Sequence, residues 1–399
     1  MQKVRMQRII RAYRTLPAIP SQIRRSSQNI DEEKQKSPLR RLLDDASSFS
    51  EGEQEATEPE LRWATQPYVA RPKTAPPVEE RVQPRDTAVL LFPGQGSQWV
   101  GMGRRLLEIP AAKELYELAS SIVGWDVARV CVSGPEDELS RRCQTAVLVT
   151  ALAALERARD ERPGALQRVR AVAGFSLGEI AALVFADALS LEFALRLVEL
   201  RAAAMAAAAA ERPGGMLTVW LAPDANIKHA LLRAREHAAE RGVLDPVCQV
   251  ANYLYPGCKV VAGDEEALRF VERAGATFGV RRAARLRVGG AFHTPLMAPA
   301  ESALRAALES AGAEVRGPRV AAWCAGEARP YRDARHVRRG LARHVAAPVR
   351  WEQTLHAMYA RERGASFPLT LALGPGAALR STLRQVNARA WDSSLQVDV

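Results

Sequence analysis

Residues 169–183 read VRAVAGFSLGEIAAL. A short apolar run ends at Gly174, Ser176 follows between Gly174 and Gly178, and small apolar residues at helical spacing come next. A chain that leaves a buried strand and enters a helix within a few residues belongs in a helix-covered sheet, since the helix must fold back over the strand it has left. The serine has two readings. Gly-x-Ser-x-Gly can form an elbow that presents a nucleophilic hydroxyl above the sheet, or the serine can simply cap the helix. The pattern arises by chance in many chains, so the remaining residues must decide.

The rest of the chain continues the strand–helix rhythm. TAVLLFPGQGSQWVGMG (87–103) reads as a strand over Ala88–Phe92, a Pro-Gly turn and a Gly-rich loop, with a helix expected over Arg104–Leu107. Helices are expected over 111–123 and 145–159, the second with apolar residues spaced for one buried face. VRAVAG (169–174) reads as a strand, and 178–210 as helix broken near Asp187–Ser190. From Gly215 the order becomes strand (215–222), helix (224–241), two strands (247–254, 258–263), helix (264–275) and strand (280–288). That is the β-α-β-β-α-β order of a ferredoxin-like unit. GGAFHTPLM then opens another helix, and FPLTLALGPG (367–376) supplies a late strand and tight turn. The fold class expected is α/β: an α/β-hydrolase-like domain with a mostly parallel sheet over 87–214 and 286–399, carrying an inserted ferredoxin-like subdomain over 215–285.

Charge separates the N-terminal region from this body. Residues 1–30 carry seven Lys or Arg and no acid, residues 31–86 net −4, and residues 87–399 net +8. An Arg-rich, acid-free start with interspersed apolar residues reads as a mitochondrial transit peptide over 1–30; the alternative is a basic tail that binds nucleic acid. Residues 31–86, acidic and then Pro-rich, bury little and read as a disordered linker. The five cysteines lie far apart without CxxC spacing, which suits a reducing compartment and offers no disulfide framework or structural zinc site. No apolar run reaches the length of a membrane span, and the alanine tract at 202–210 reads as helix.

A serine needs a base to become a nucleophile. Of six histidines, His229 and His237 lie in a polar helix, and His336 and His344 lie among arginines; these four are expected on the solvated surface. His293, in GGAFHTPLM beside two glycines, is either that base or a packing residue. Gln95, in the loop FPGQGSQ, lies where a sheet-end loop can face a developing oxyanion; the loop lacks the spacing of a phosphate cradle. Arg201, amid apolar neighbours, either snorkels to the surface or grips a carboxylate with its two-pronged donor geometry.

FPGQGSQWVGMG, CQTA, GFSLGE, VELR, AFHTPLM, PVRWEQTLHAMY and LGPG follow one another in order over 87–395, and together they resemble the malonyl-CoA:acyl carrier protein transacylases. GFSLGE, with Phe175 before the serine, and RWEQTLHAMYARERG look like the vertebrate mitochondrial type. The resemblance implies that Ser176 takes the acyl group and His293 acts as its base and acid. Arg201 would bind the malonyl carboxylate, with Gln144, Phe292 and Asn252 also on the substrate. The backbone amides of Gln95 and Leu177 would hold the oxyanion, and the backbone carbonyl of His344, where relatives commonly carry glutamine, would orient His293. CQTA also departs from the usual Gln-Pro-Ala, keeping Gln144.

The partners implied are malonyl-CoA and mitochondrial acyl carrier protein, in the matrix, supplying type II fatty acid synthesis. A monomer is expected, without cofactor, metal, membrane span or nucleic acid. The basic stretches 281–287 and 332–344 are candidates for docking an acidic carrier protein, or are ordinary solvated surface. Phe292 beside the base would narrow the space near the acyl α-carbon, or merely pack. The rival readings are an α/β-hydrolase-class serine hydrolase or thioesterase, which has no need of Arg201, and a non-catalytic basic binding domain, which has no need of Ser176 and His293.

Overall fold

The computed structural model describes residues 83–399. The basic segment 1–30 and the linker 31–86, except its last residues, lie outside the described part. A 3-10 turn, Pro84–Asp86, leads into β1 (Ala88–Phe92). Helices α1 (Pro110–Val123), α2 (Val127–Ser133), α3 (Glu136–Arg141), α4 (Cys143–Glu161) and α5 (Pro163–Gln167) precede β2 (Val169–Gly174), which is followed by α6 (Gly178–Phe185) and α7 (Leu191–Glu211). Then come β3 (Gly214–Leu221), α8 (Ile227–Glu240), β4 (Cys248–Tyr255), β5 (Cys258–Asp264), α9 (Glu265–Ala274) and β6 (Val280–Arg285). The chain finishes through α10 (Ala298–Ser310), β7 (Ala321–Cys324), β8 (Arg329–Pro330), α11 (Ala334–His344), β9 (Val349–Arg350) and α12 (Trp351–Met358). Last are β10 (Leu369–Leu373), α13 (Ala378–Val386), α14 (Ala388–Asp392) and β11 (Ser394–Val397).

The larger sheet runs β11-β10-β1-β2-β7-β8, parallel throughout except for the antiparallel β7–β8 pair. Every residue of β1, AVLLF, is buried, as an unbroken apolar strand covered on both faces requires. The expectation of a single buried face for the helix around 145–159 is not met: α4 is buried on nearly every side from Cys143 to Glu156. It is packed against α1, α6, α7 and the β10–β11 edge, so small residues and leucines on all faces find neighbours.

The helix expected over Arg104–Leu107 is also absent. Gly101 (φ +113°) and Gly103 (φ +83°) are left-handed, so the chain turns there and makes only a 3-10 turn at Leu106–Glu108. A Cβ on Gly103 would lie 2.3 Å from the Tyr116 hydroxyl, so that position accepts nothing larger.

The second sheet runs β6-β3-β5-β4-β9. β3 to β6 pair antiparallel, and α8 and α9 pack together with this sheet around their own apolar cluster of Leu217, Val219, Leu231, Val261 and Leu268. The fifth strand, β9, comes from beyond 286 and pairs parallel with β4 through Asn252↔Val349. The inserted segment is therefore stitched to the later chain through a shared sheet edge.

Candidate active site

The site is built around a glycine-dependent turn at the carboxyl end of β2, seated against the end of β1. At the end of β2 the chain reverses through Phe175 and Ser176, and Ser176 has φ +51°, a left-handed conformation that a non-glycine residue holds only when its surroundings impose it. The imposition is steric. A Cβ on Gly174 would fall 1.9 Å from the Gly178 carbonyl carbon, and one on Gly178 would fall 2.2 Å from the Phe92 carbonyl oxygen. Only glycines allow the elbow to close and seat against the end of β1. The Phe175 N–H then donates to the Phe92 carbonyl (2.9 Å), and the Phe175 ring meets Trp351 edge-on.

His293 is the second left-handed residue of the site, at φ +61°. Its backbone N–H donates to the Val345 carbonyl (2.8 Å). Its Nδ1 lies 2.8 Å from the His344 carbonyl oxygen and 3.2 Å from that of Ala347. Carbonyls only accept, so Nδ1 carries the proton and Nε2 presents a lone pair. That Nε2 lies 2.9 Å from the Ser176 hydroxyl oxygen. Burial, and next the nearby Arg201 cation, push the His293 imidazole down to about 4, so the ring is neutral at physiological pH and its Nε2 is unprotonated.

Arg201, on α7, is buried (3% exposed), which excludes snorkelling. Its Nη2 donates to the Ser176 hydroxyl (3.1 Å) and its Nη1 to the Gln144 side-chain oxygen (2.5 Å). Gln144 in turn donates to the Gln95 side-chain oxygen (3.3 Å) and to the Met205 sulfur (3.7 Å). Burial lowers the guanidinium to about 10, so it stays a cation facing the serine. The backbone N–H groups of Gln95 and Leu177 have no carbonyl acceptor among the described residues. They flank Ser176 from the Gly-rich loop and from the start of α6.

A cleft of about 300 Å³ opens over Ser176 and His293. Gln95, Asn252 and Phe292 line it, with Met216, Val260 and Leu286 among its apolar walls. Every residue singled out from the sequence as a site residue therefore lies in or against this one place. The surface histidines are another matter. His336 and His344 are buried, not solvated, because Val337, Leu341 and His344 share the inward face of α11.

Two groups escaped the sequence reading. Gln249 on β4 donates to the His293 carbonyl (3.1 Å). Glu179, one turn after Ser176 and 1% exposed, accepts from the Ala325 N–H (3.1 Å) and from the Tyr331 hydroxyl. The acid in GFSLGE was the available signal for Glu179; nothing in local sequence marks Gln249.

The two basic stretches differ in placement. Arg281, Arg282 and Arg287 are exposed around β6, Arg285 is paired with Glu265 and Glu272, and Leu286 reaches the cleft wall. The arginines of α11 do not line the cleft. Away from it, Cys324, Glu327 and His336 lie close enough together to hold an ion, a grouping that sequence spacing did not suggest. Glu327 is already engaged by Arg329 (2.6 Å) and His336 (3.1 Å), and His336 Nδ1 accepts from the Arg332 N–H (3.2 Å).

Residues 89–384 match the acyl transferase domain family. A probable mitochondrial malonyl-CoA-acyl carrier protein transacylase of Drosophila melanogaster is 45% identical over 327 residues, 80% of this chain and 86% of the fly protein. The mitochondrial malonyl-CoA-acyl carrier protein transacylase of Homo sapiens is 44% identical over 322 residues, 80% of this chain and 82% of the human one. The malonyl-transacylase solved in complex with a type II polyketide synthase acyl-carrier protein superposes with a TM-score of 0.67 at 30% identity, over 76% of this chain and 94% of that one. A serine–histidine pair overhung by a buried arginine, on a fold and sequence shared with these proteins at such coverage, makes the chain a member of the malonyl-CoA–acyl carrier protein transacylase family.

Proposed function

We propose that this transacylase moves the malonyl group of malonyl-CoA to the phosphopantetheine thiol of acyl carrier protein in two turns of one chemical step. His293 Nε2 takes the proton of Ser176, whose oxygen attacks the malonyl thioester carbonyl. The amides of Gln95 and Leu177 receive the oxyanion. The carbon–sulfur bond breaks, coenzyme A leaves with the proton returned by His293, and a malonyl-serine ester remains. The carrier thiol then gives its proton to His293 and attacks the ester, and Ser176 is released with that proton.

The observation that carries this reading is the double engagement of the Ser176 hydroxyl, by His293 Nε2 at 2.9 Å and by Arg201 Nη2 at 3.1 Å. A hydrolase needs only the first. A cation within reach of the nucleophile suits an acyl group that ends in a carboxylate, and Gln144 holds that cation in place. Phe292 and Asn252, on the cleft wall, bound the space left for the acyl group, and Phe292 favours malonyl over bulkier α-substituted groups.

All of these groups come from one chain, which supports a monomer as the working unit. Each proton and bond change is met by side chains and amides, with no role for a metal or cofactor. The spatial order β6-β3-β5-β4 supports describing 215–285 as a ferredoxin-like subdomain, and the parallel sheet with its serine elbow supports an α/β-hydrolase-like core over 87–214 and 286–399. The acid-free basic start and the mitochondrial relatives support a cleaved presequence at 1–30, a linker at 31–86 and a matrix location.

Intact-mass spectrometry after mixing with malonyl-CoA is the test. One malonyl adduct is expected, lost on adding holo acyl carrier protein and absent from Ser176→Ala. An adduct that persists on the alanine variant, or that water removes as fast as carrier protein does, overturns the reading.

A further inference from the structure

His344 touches the site twice. Its backbone carbonyl accepts from His293 Nδ1 (2.8 Å), and its own imidazole runs the other way, placing Nε2 3.6 Å from Glu179 Oε2. Both side chains are nearly sealed from solvent, 3% and 1% exposed, and that Nε2 has no hydrogen-bond partner. A buried imidazole nitrogen without a partner is costly, and the carboxylate oxygen is the polar atom placed to relieve it.

Glu179 belongs to the first turn of α6, directly behind Ser176. It also accepts from the Ala325 N–H at the end of β7 and from the Tyr331 hydroxyl before α11. The carboxyl thus gathers the nucleophile's helix, the neighbouring strand end and the entry to α11; His344 sits at the other end of α11.

We propose that the His344 side chain is a positioning residue for the His293 base: through Glu179 it anchors the carbonyl that orients His293 to the helix that carries Ser176. The inference rests on the assignment of Ser176 as nucleophile and His293 as base. At 3.6 Å the two atoms are in ion-pair range and beyond hydrogen-bond distance, so the bridge takes one proton between them and a small approach of the two side chains. Burial, which raises the Glu179 carboxyl to about 7 and lowers the imidazole, favours that shared proton over a separated ion pair. The other charged or titratable groups facing the pair are Tyr331, Arg201, His293, Cys324 and, beyond them, Glu327. None of them is placed to give His344 Nε2 another partner.

Catalysis depends on the base and nucleophile being held together, and a displacement on the order of 1 Å costs about 100-fold. The experiment compares His344→Leu with His344→Gln in steady-state transfer from malonyl-CoA to holo acyl carrier protein, with the thermal midpoint of each variant measured alongside. Leucine keeps the bulk and loses the polar nitrogen; glutamine keeps a group able to donate to Glu179. Expected for leucine is a kcat lower by roughly 10–100-fold in both half-reactions, with KM for malonyl-CoA within about twofold. Expected for glutamine is a kcat within about threefold of the parent.

A leucine variant with parental kcat, equal losses in both variants, or a loss carried by KM overturns the proposal. If leucine does not fold, His344→Met poses the same question with the same expected numbers. Failure here leaves the malonyl adduct on Ser176 untouched, whereas failure of the nucleophile assignment shows as an adduct on Ser176→Ala.

Discussion

Ser176 and His293 both occupy left-handed backbone, and each such residue costs on the order of 1–3 kcal/mol that surrounding packing must offset. What that strain obtains is a neutral imidazole aimed at the hydroxyl. Because His293 takes up a proton only near pH 4, the rate at which phenylmethanesulfonyl fluoride, an uncharged reagent, modifies Ser176 should stay level from pH 8 to about 5 and fall below that. An acid limb centred near 6.5, the ordinary histidine value, counts against a buried neutral base. The unfolded chain binds this proton at about 6.5 and the folded one at about 4, so this group's contribution to stability is present above 6.5 and lost as the pH falls through that window. Arg201 sets a second residue-scale expectation. Charge-assisted hydrogen bonds contribute about 1.5–3 kcal/mol, so Arg201→Ala should lower malonyl kcat/KM by roughly 10–150-fold or more. Acetyl transfer should hold or rise, because a buried cation that acetyl cannot pair is gone. Equal losses for malonyl-CoA and acetyl-CoA would make Arg201 structural.

At the scale of elements, legibility followed burial and length. β1, β2, β10 and the inserted β3 to β5 were readable because apolar runs or alternations of about five residues announce themselves. β8 and β9 have two residues each, and β9 is a strand only because β4 offers it an open edge at Asn252; no local pattern encodes a partner's edge. The elbow was legible because its glycines answer a steric demand that one can name. The 3-10 turn at Leu106–Glu108 was misread because left-handed Gly101 and Gly103 outweighed the helix-forming residues after them. The same distinction divides the site. Ser176, His293 and Arg201 sit in motifs, whereas Gln249 reaches the His293 carbonyl across 44 positions of chain and is visible only once β4 is folded beside it. His344 was misjudged by its neighbours: arginines crowd it in sequence, yet helical spacing turns them outward and the imidazole inward.

For the whole molecule, the arrangement of charge matters more than its sum. The folded residues carry most of a net +11 chain's excess, but much of the arginine is spent in pairs with acids, as Arg285 is with Glu265 and Glu272. Among the exposed basic segments that reach the cleft is the one around β6, where Arg281 and Arg287 are exposed and Leu286 forms part of the cleft wall. On the mechanism proposed above, an acidic carrier protein delivering a tethered thiol to Ser176 would dock within reach of that wall, and charge there would act on encounter as well as on the bound complex. Reversing both charges, Arg281→Glu with Arg287→Glu, should raise KM for carrier protein about 10-fold at low ionic strength. The loading of Ser176 from malonyl-CoA should remain unchanged. The effect should shrink as salt rises toward 0.5 M, since exposed charges are then screened within a few ångströms. Arg335→Glu with Arg339→Glu, an equal change of charge on α11 away from the cleft, should leave both half-reactions alone. If the α11 pair raises KM for carrier protein and the β6 pair does not, the carrier approaches from the other side of the elbow and the wall at Leu286 has no part in receiving it.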